Sequence, residues 1–161
     1  MDLYIFRHGE TYQTKNNILY GENVYSSKIL PEGIPTVKKL ANYLKDKKTD
    51  ANFSSPFLRC RQTVEIVSEV SKKEFTFDNR LSEFIPENET LFSLFKRTKD
   101  FYEEIENKYK SVSVCTHGYI ISCLTQLATK GHIRQEELDN FPKPGILLEA
   151  ENEKIKSINF N

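Results

Sequence analysis

The sequence predicts an α/β fold, a three-layer α/β/α sandwich around a mostly parallel central sheet. Strand-like and helix-like patterns alternate along the chain, the ordering that yields helices on both faces of a sheet. The first strand candidate is a continuous apolar run, as expected of a strand covered on both sides. With 161 residues, 38% of them hydrophobic and 29% charged, the chain fits one ordinary domain with enough apolar material for a core.

Taken in order, residues 3–6 (Leu3, Tyr4, Ile5, Phe6) form that run and end at Arg7-His8-Gly9, a strand feeding a loop. An irregular polar stretch follows through Gly21. Residues 31–48 then place Val37, Leu40, Ala41 and Leu44 at helical spacing, with Pro31 near the start. Residues 51–54 suit a brief strand, and Ser55-Pro56 opens a second helix in which Leu58, Val64, Ile66, Val67 and Val70 recur. Residues 74–77 alternate as a weak strand. From Glu89, the positions Leu91, Leu94, Phe95, Phe101, Tyr102 and Ile105 mark a long amphipathic helix ending near Lys110. Residues 111–115 form a strand, and residues 119–127 a buried helix closed by Lys130-Gly131. Residues 146–149 and 155–160 read as two strands around a turn at Asn152.

Composition narrows the function. Lys plus Arg (23) balance Asp plus Glu (23), so no global field gathers nucleic acid or an anionic membrane, and an anion must be caught locally. No apolar run approaches the ~20 residues of a membrane span, and Met1 leads directly into a strand-like segment, so a cytoplasmic location is expected. Cys60, Cys115 and Cys123 are an odd set without metal-site or disulfide spacing, which predicts buried free thiols.

In an open α/β sheet, ligands bind beyond the carboxyl ends of the strands, so residues that directly follow strands carry the most weight. His8 and His117 both stand there, each followed by a glycine that would permit close approach by a ligand. Arg7-His8-Gly9-Glu10-Thr11 after an N-terminal strand resembles the signature of the histidine phosphatase superfamily, the phosphoglycerate mutase-like proteins. Residues 55–63 (Ser-Pro-Phe-Leu-Arg-Cys-Arg-Gln-Thr) resemble its second block, whose first arginine, here Arg59, contacts phosphate. Thr116-His117-Gly118 resembles its third, and Arg80-Leu81-Ser82-Glu83 resembles the block that often holds the proton donor. The resemblance implies a single histidine phosphatase-like domain over residues 1–161. Its expected activity is hydrolysis of a small phosphorylated metabolite through a phosphohistidine, without a metal or other cofactor. A protein phosphohistidine is the lesser substrate.

The chemistry supports the same residues. A phosphate monoester is largely dianionic near neutral pH, so the attacking group must be uncharged and the charge spreading over the equatorial oxygens needs fixed cations. Arg7 and Arg59 can supply these with bidentate geometry. His8 can be neutral and offer one ring nitrogen while a backbone acceptor holds the other, and His117 would complete the cradle as a donor. The leaving alkoxide needs a proton. Glu83 is the first candidate and Glu10 its rival, although an acid that opens a helix suits a dipole role. Thr11 would cap the following turn.

Two departures bear on the reading. Where the family often has a phosphate-holding asparagine, this chain has Thr14, whose hydroxyl could donate one bond, and Asn17 matches another commonly polar position. Only residues 84–116 separate Glu83 from His117, so a cap over the site should be minimal. An open site favours transfer to water over a mutase reaction, which must retain its intermediate. The alternatives are a phosphoglycerate-type mutase and a phosphate-binding module of poor turnover. Loops 16–30 and 85–90 would set specificity. Arg61 should be exposed, Arg80 paired with an acidic neighbour, His132 without a role, and most aromatic residues core.

Overall fold

A computed structural model describes residues 1–161. Six strands, β1 (Asp2–Arg7), β2 (Ala51–Ser54), β3 (Thr76–Phe77), β4 (Ser111–Thr116), β5 (Ile146–Glu151) and β6 (Lys154–Asn159), form one sheet in the order β3-β2-β4-β1-β5-β6. The first four of that order are parallel, while β5 runs antiparallel to β1 and β6 to β5. Five helices accompany it: α1 (Tyr12–Asn16), α2 (Ile34–Lys45), α3 (Leu58–Ser71), α4 (Leu91–Lys108) and α5 (Gly118–Lys130).

The continuous apolar run in β1 exists because both faces of the sheet are covered. Leu3 and Ile5, with Val112 and Val114 of β4, pack against Leu94, Phe101 and Ile105 of α4 and Ile120, Ile121 and Leu124 of α5. Phe6, Cys115 and Leu147 point the other way, into Val37, Leu40, Ala41 and Leu44 of α2 and Val64 and Val67 of α3. Each large side chain so buried contributes roughly 1.5–3 kcal/mol, which is what fixes the register of the inner strands. No helix is long and apolar enough to cross a membrane.

Several elements depart from the sequence expectation at their ends. Residues 31–33 form a separate 3₁₀ turn ahead of α2, and α3 begins at Leu58 because Pro56 and extended Phe57 precede it. The weak strand shrinks to Thr76–Phe77. Helix α1, inside the stretch read as irregular, is too short to show an apolar stripe. It rests on a capping box in which the Thr11 side chain accepts from the Thr14 amide and the Thr14 hydroxyl accepts from the Thr11 amide. The β5–β6 hairpin closes through Asn152 (φ 50) and Glu153 (φ 61), the paired left-handed residues that a two-residue turn matched to strand twist requires.

Register sets the strand ends level. Arg7 pairs with Thr116 across β1 and β4, and Ser54 with Cys115 across β2 and β4. One residue further, the His8 amide donates to the Thr116 carbonyl (3.2 Å) and the Ser55 amide to the Cys115 carbonyl (3.0 Å). His8, Ser55 and His117 therefore leave three neighbouring strands at one edge of the sheet.

Candidate active site

The two imidazoles meet with ring centroids 5.4 Å apart, and both are fully buried. His8 Nδ1 lies 2.8 Å from the Gly9 carbonyl oxygen, an acceptor only, so Nδ1 carries the hydrogen and Nε2 keeps its lone pair. His117 Nε2 lies 2.7 Å from the Ser55 hydroxyl, which also accepts from the Phe57 amide at 3.3 Å. Arg59 Nη2 can only donate, so the His117 proton sits on Nε2, donating to Ser55, and the acceptor lone pair on Nδ1. That nitrogen is 3.2 Å from Arg59 Nη2 and 3.4 Å from Glu83 Oε2.

Arg59 enters from the first turn of α3 and is wholly buried. It donates through Nη1 to the Val24 carbonyl (2.5 Å) and through Nη2 to Glu83 Oε2 (3.1 Å), while its Nε has no partner in the protein. Arg7, at the last position of β1, likewise leaves a buried Nε unpartnered, and its guanidinium stands 5.1 Å from the centre of the Phe141 ring. Two orphaned guanidinium donors beside two histidines are costly for folding alone and suit an anion with several acceptor oxygens.

The local field is as uneven as acid–base work needs. Burial, then Arg7 and Arg59, holds His8 well below the usual imidazole range. Burial and the same cations, with His8, do so for His117. Both rings are neutral near pH 7. Burial pushes the Glu83 carboxyl up, against the opposing pull of Arg59 and Arg7. The Glu83 segment is itself clamped: Arg97 donates to the carbonyls of Arg80 (2.5 Å) and Ser82 (2.9 Å) while pairing with Glu89.

The remaining candidates lie further out. Thr14 spends its hydroxyl on Thr11, and Asn17 is the exposed left-handed residue ending α1; both line a cavity of about 470 Å³ that Arg7 and Glu10 also border. The Glu10 carboxylate pairs with none of the cations of the site. Arg61 is exposed and lies against Phe77, Arg80 pairs with Asp78 and Glu104, and His132 is exposed. Cys60, Cys115 and Cys123 are free and buried.

Two features were not foreseen. Ser55 obeys the strand-end criterion that singled out the histidines, so applying it to β2 would have found it. Tyr20 could not be found that way: its hydroxyl is 3.4 Å from His8 Nε2 and 3.0 Å from Thr11 Oγ1, and its ring covers the Arg59 guanidinium at 4.1 Å. The glycines after the histidines also serve a different end than expected. A Cβ on Gly9 would meet Val37 and Ile29 at 3.1–3.2 Å, and one on Gly118 would meet the Phe141 ring at 2.8 Å, so protein packing rather than a ligand requires them small. Gly118→Ala is therefore expected to cost about 1–3 kcal/mol and, by pushing Phe141 off Arg7, to raise KM. A thermal melt and a saturation curve check both.

A family model described as the histidine phosphatase superfamily (branch 1) matches residues 3–86. A candidate phosphoserine phosphatase 2 from Hydrogenobacter thermophilus is 22% identical over 98% of this chain and 94% of its own length. The crystal structure of an alpha-ribazole phosphatase from Shigella flexneri superposes with a TM-score of 0.77 at 18% identity, covering 99% of this chain and 95% of the other. A phosphoglycerate mutase from Bacillus anthracis gives 0.69 at 16% identity, covering 99% and 92%. At these identities the two structures establish a shared phosphoglycerate mutase-like fold.

Proposed function

This chain belongs to the histidine phosphatase superfamily, branch 1, and from that premise we propose that residues 1–161 act as one domain hydrolysing a small phosphorylated metabolite through a phosphohistidine. The observation that carries the reading is the setting of His8: a buried, neutral ring with Nδ1 tied to the Gly9 carbonyl, Nε2 left with its lone pair, and the second histidine ring 5.4 Å away. The names of the phosphatase relatives accord with it, and the three free thiols accord with a cytoplasmic setting.

In the first displacement, His8 Nε2 forms an N–P bond as the ester P–O bond breaks. Positive charge grows on the ring, which strengthens the Nδ1–H bond to Gly9. Arg7, Arg59 and His117 hold the equatorial oxygens. Glu83, protonated, gives its hydrogen to the leaving oxygen. In the second displacement a water oxygen forms the new P–O bond, Glu83 takes the water's proton, and the N–P bond breaks to restore neutral His8. Thr14 and Asn17 would contact the substrate from the adjoining cavity. The short connection of residues 84–90 between Glu83 and α4 leaves water access, which supports hydrolysis over a mutase reaction.

The test is release of inorganic phosphate from p-nitrophenyl phosphate and from a panel of phosphorylated metabolites in excess chelator. Activity that needs an added metal, or glycerate-phosphate isomerisation without net hydrolysis, would overturn the proposal. The pH profile is a second check. His8 must be neutral to attack and titrates below about 6.5, so kcat/KM, corrected for ionisation of the substrate, should hold as pH falls through that value. Glu83 must be protonated to donate, so with a poor leaving group the rate should fall as pH rises through its raised titration.

A further inference from the structure

Tyr20 stands where the substrate must go. Its hydroxyl hydrogen-bonds to His8 Nε2 at 3.4 Å, on the lone-pair side of the ring. A phosphorus atom poised for attack would lie about 3–3.5 Å from the same nitrogen along the same direction. The two cannot coexist. The ring also stacks on the Arg59 guanidinium at 4.1 Å.

We propose that Tyr20 is a displaceable occupant of the phosphoryl site, exchanged for the incoming phosphate group, and that it thereby sets the affinity threshold for every phosphoryl ligand. The inference rests on the reading of His8 as nucleophile.

The chain around Tyr20 is built for such an exchange. Asn17 (φ 53) and Gly21 (φ 51) bracket it in left-handed conformations, and a Cβ on Gly21 would meet nothing within 4 Å. Ile18 and Leu19 between them are 50% and 93% exposed, leaving few contacts to break. The cavity of about 470 Å³ lies on the other side of Tyr20, between Arg7, Phe141 and Lys143, and gives the ring somewhere to turn and the leaving group somewhere to lie. Tyr20 thus separates the histidines from the space in which the rest of a substrate fits. While it is in, the site is filled and the nucleophile capped; a ligand binds with its intrinsic affinity reduced by the fraction of molecules in which Tyr20 is out.

Titration calorimetry with orthovanadate and with inorganic phosphate tests this on wild type, Tyr20→Phe and Tyr20→Ala. Loss of the ring should tighten both anions about tenfold, and Tyr20→Phe, which keeps the stacking on Arg59 but loses the hydroxyl bonds, should tighten them less. The chain contains no tryptophan, so Tyr20→Trp installs a single reporter. Its emission should change saturably with orthovanadate, at the midpoint found by calorimetry. If Tyr20→Ala fails to fold, the phenylalanine and tryptophan variants decide the matter alone. Weaker anion binding in the variants would make the hydroxyl a ligand of the phosphoryl group, and unchanged affinity would mean that Tyr20 does not compete with the anion; either overturns the proposal. Should wild type bind neither anion and release no phosphate, the phosphatase reading itself falls, and the exchange with it.

Discussion

His8→Ala is expected to lower turnover by about 10⁴-fold or more, because the substitution removes the proposed nucleophile itself rather than one contributor among several. Loss of a positioning residue leaves the reaction coordinate intact and costs less. Loss of the nucleophile removes the first displacement altogether, and water would have to attack directly in a pocket shaped for a ring nitrogen. Two measurements separate missing chemistry from a missing fold. His8 is fully buried, so the melting temperature should fall, yet Arg7 and Arg59 remain and orthophosphate should still bind. The wild-type enzyme, mixed briefly with radiolabelled substrate and quenched in alkali, should carry label on His8; a phosphohistidine survives alkali and is lost in acid. Residual activity in the variant comparable to wild type, or label found elsewhere, would remove His8 from the mechanism.

The same residues show how far a sequence alone reaches. The histidines were legible because a short apolar, β-branched or aromatic run ends just before each, and because the carboxyl edge of a parallel sheet is where any such chain gathers its chemistry. That His8 and His117 become neighbours is then a matter of register, fixed by which apolar residues of β1 and β4 face α4 and α5. Arg59 could be placed on a helix start, but not its burial, which depends on Glu83 and the Val24 carbonyl arriving from distant loops. Tyr20 and Phe141 were not legible as site residues. An aromatic ring in a loop has no periodicity to betray it, and what each covers is settled by backbone torsions at Asn17 and Gly21 or by the space Gly118 leaves. Helix α1 escaped for a related reason, since five residues held by two threonine side chains present no stripe.

Glu83→Gln is the second decisive substitution, and its signature is a dependence on leaving group. A general acid matters in proportion to how badly the departing oxygen needs a proton. An alkyl phosphate releases a strongly basic alkoxide, and the variant should turn it over roughly 10²–10⁴-fold more slowly, whereas p-nitrophenolate departs unaided and its rate should change by less than about tenfold. KM should not rise, because a glutamine keeps an oxygen able to accept from Arg59 Nη2, now 3.1 Å from the carboxyl, and brings no negative charge to repel the substrate anion. The alkaline limb of the pH profile with the alkyl substrate should disappear too, since glutamine has nothing to titrate. Glu10→Gln gives the contrast: Glu10 borders the cavity without pairing with any cation of the site, so its loss should affect both substrates modestly and alike. Equal losses for the two leaving groups in Glu83→Gln would show that the carboxylate only orients Arg59 and His117, and the proton would have to come from elsewhere.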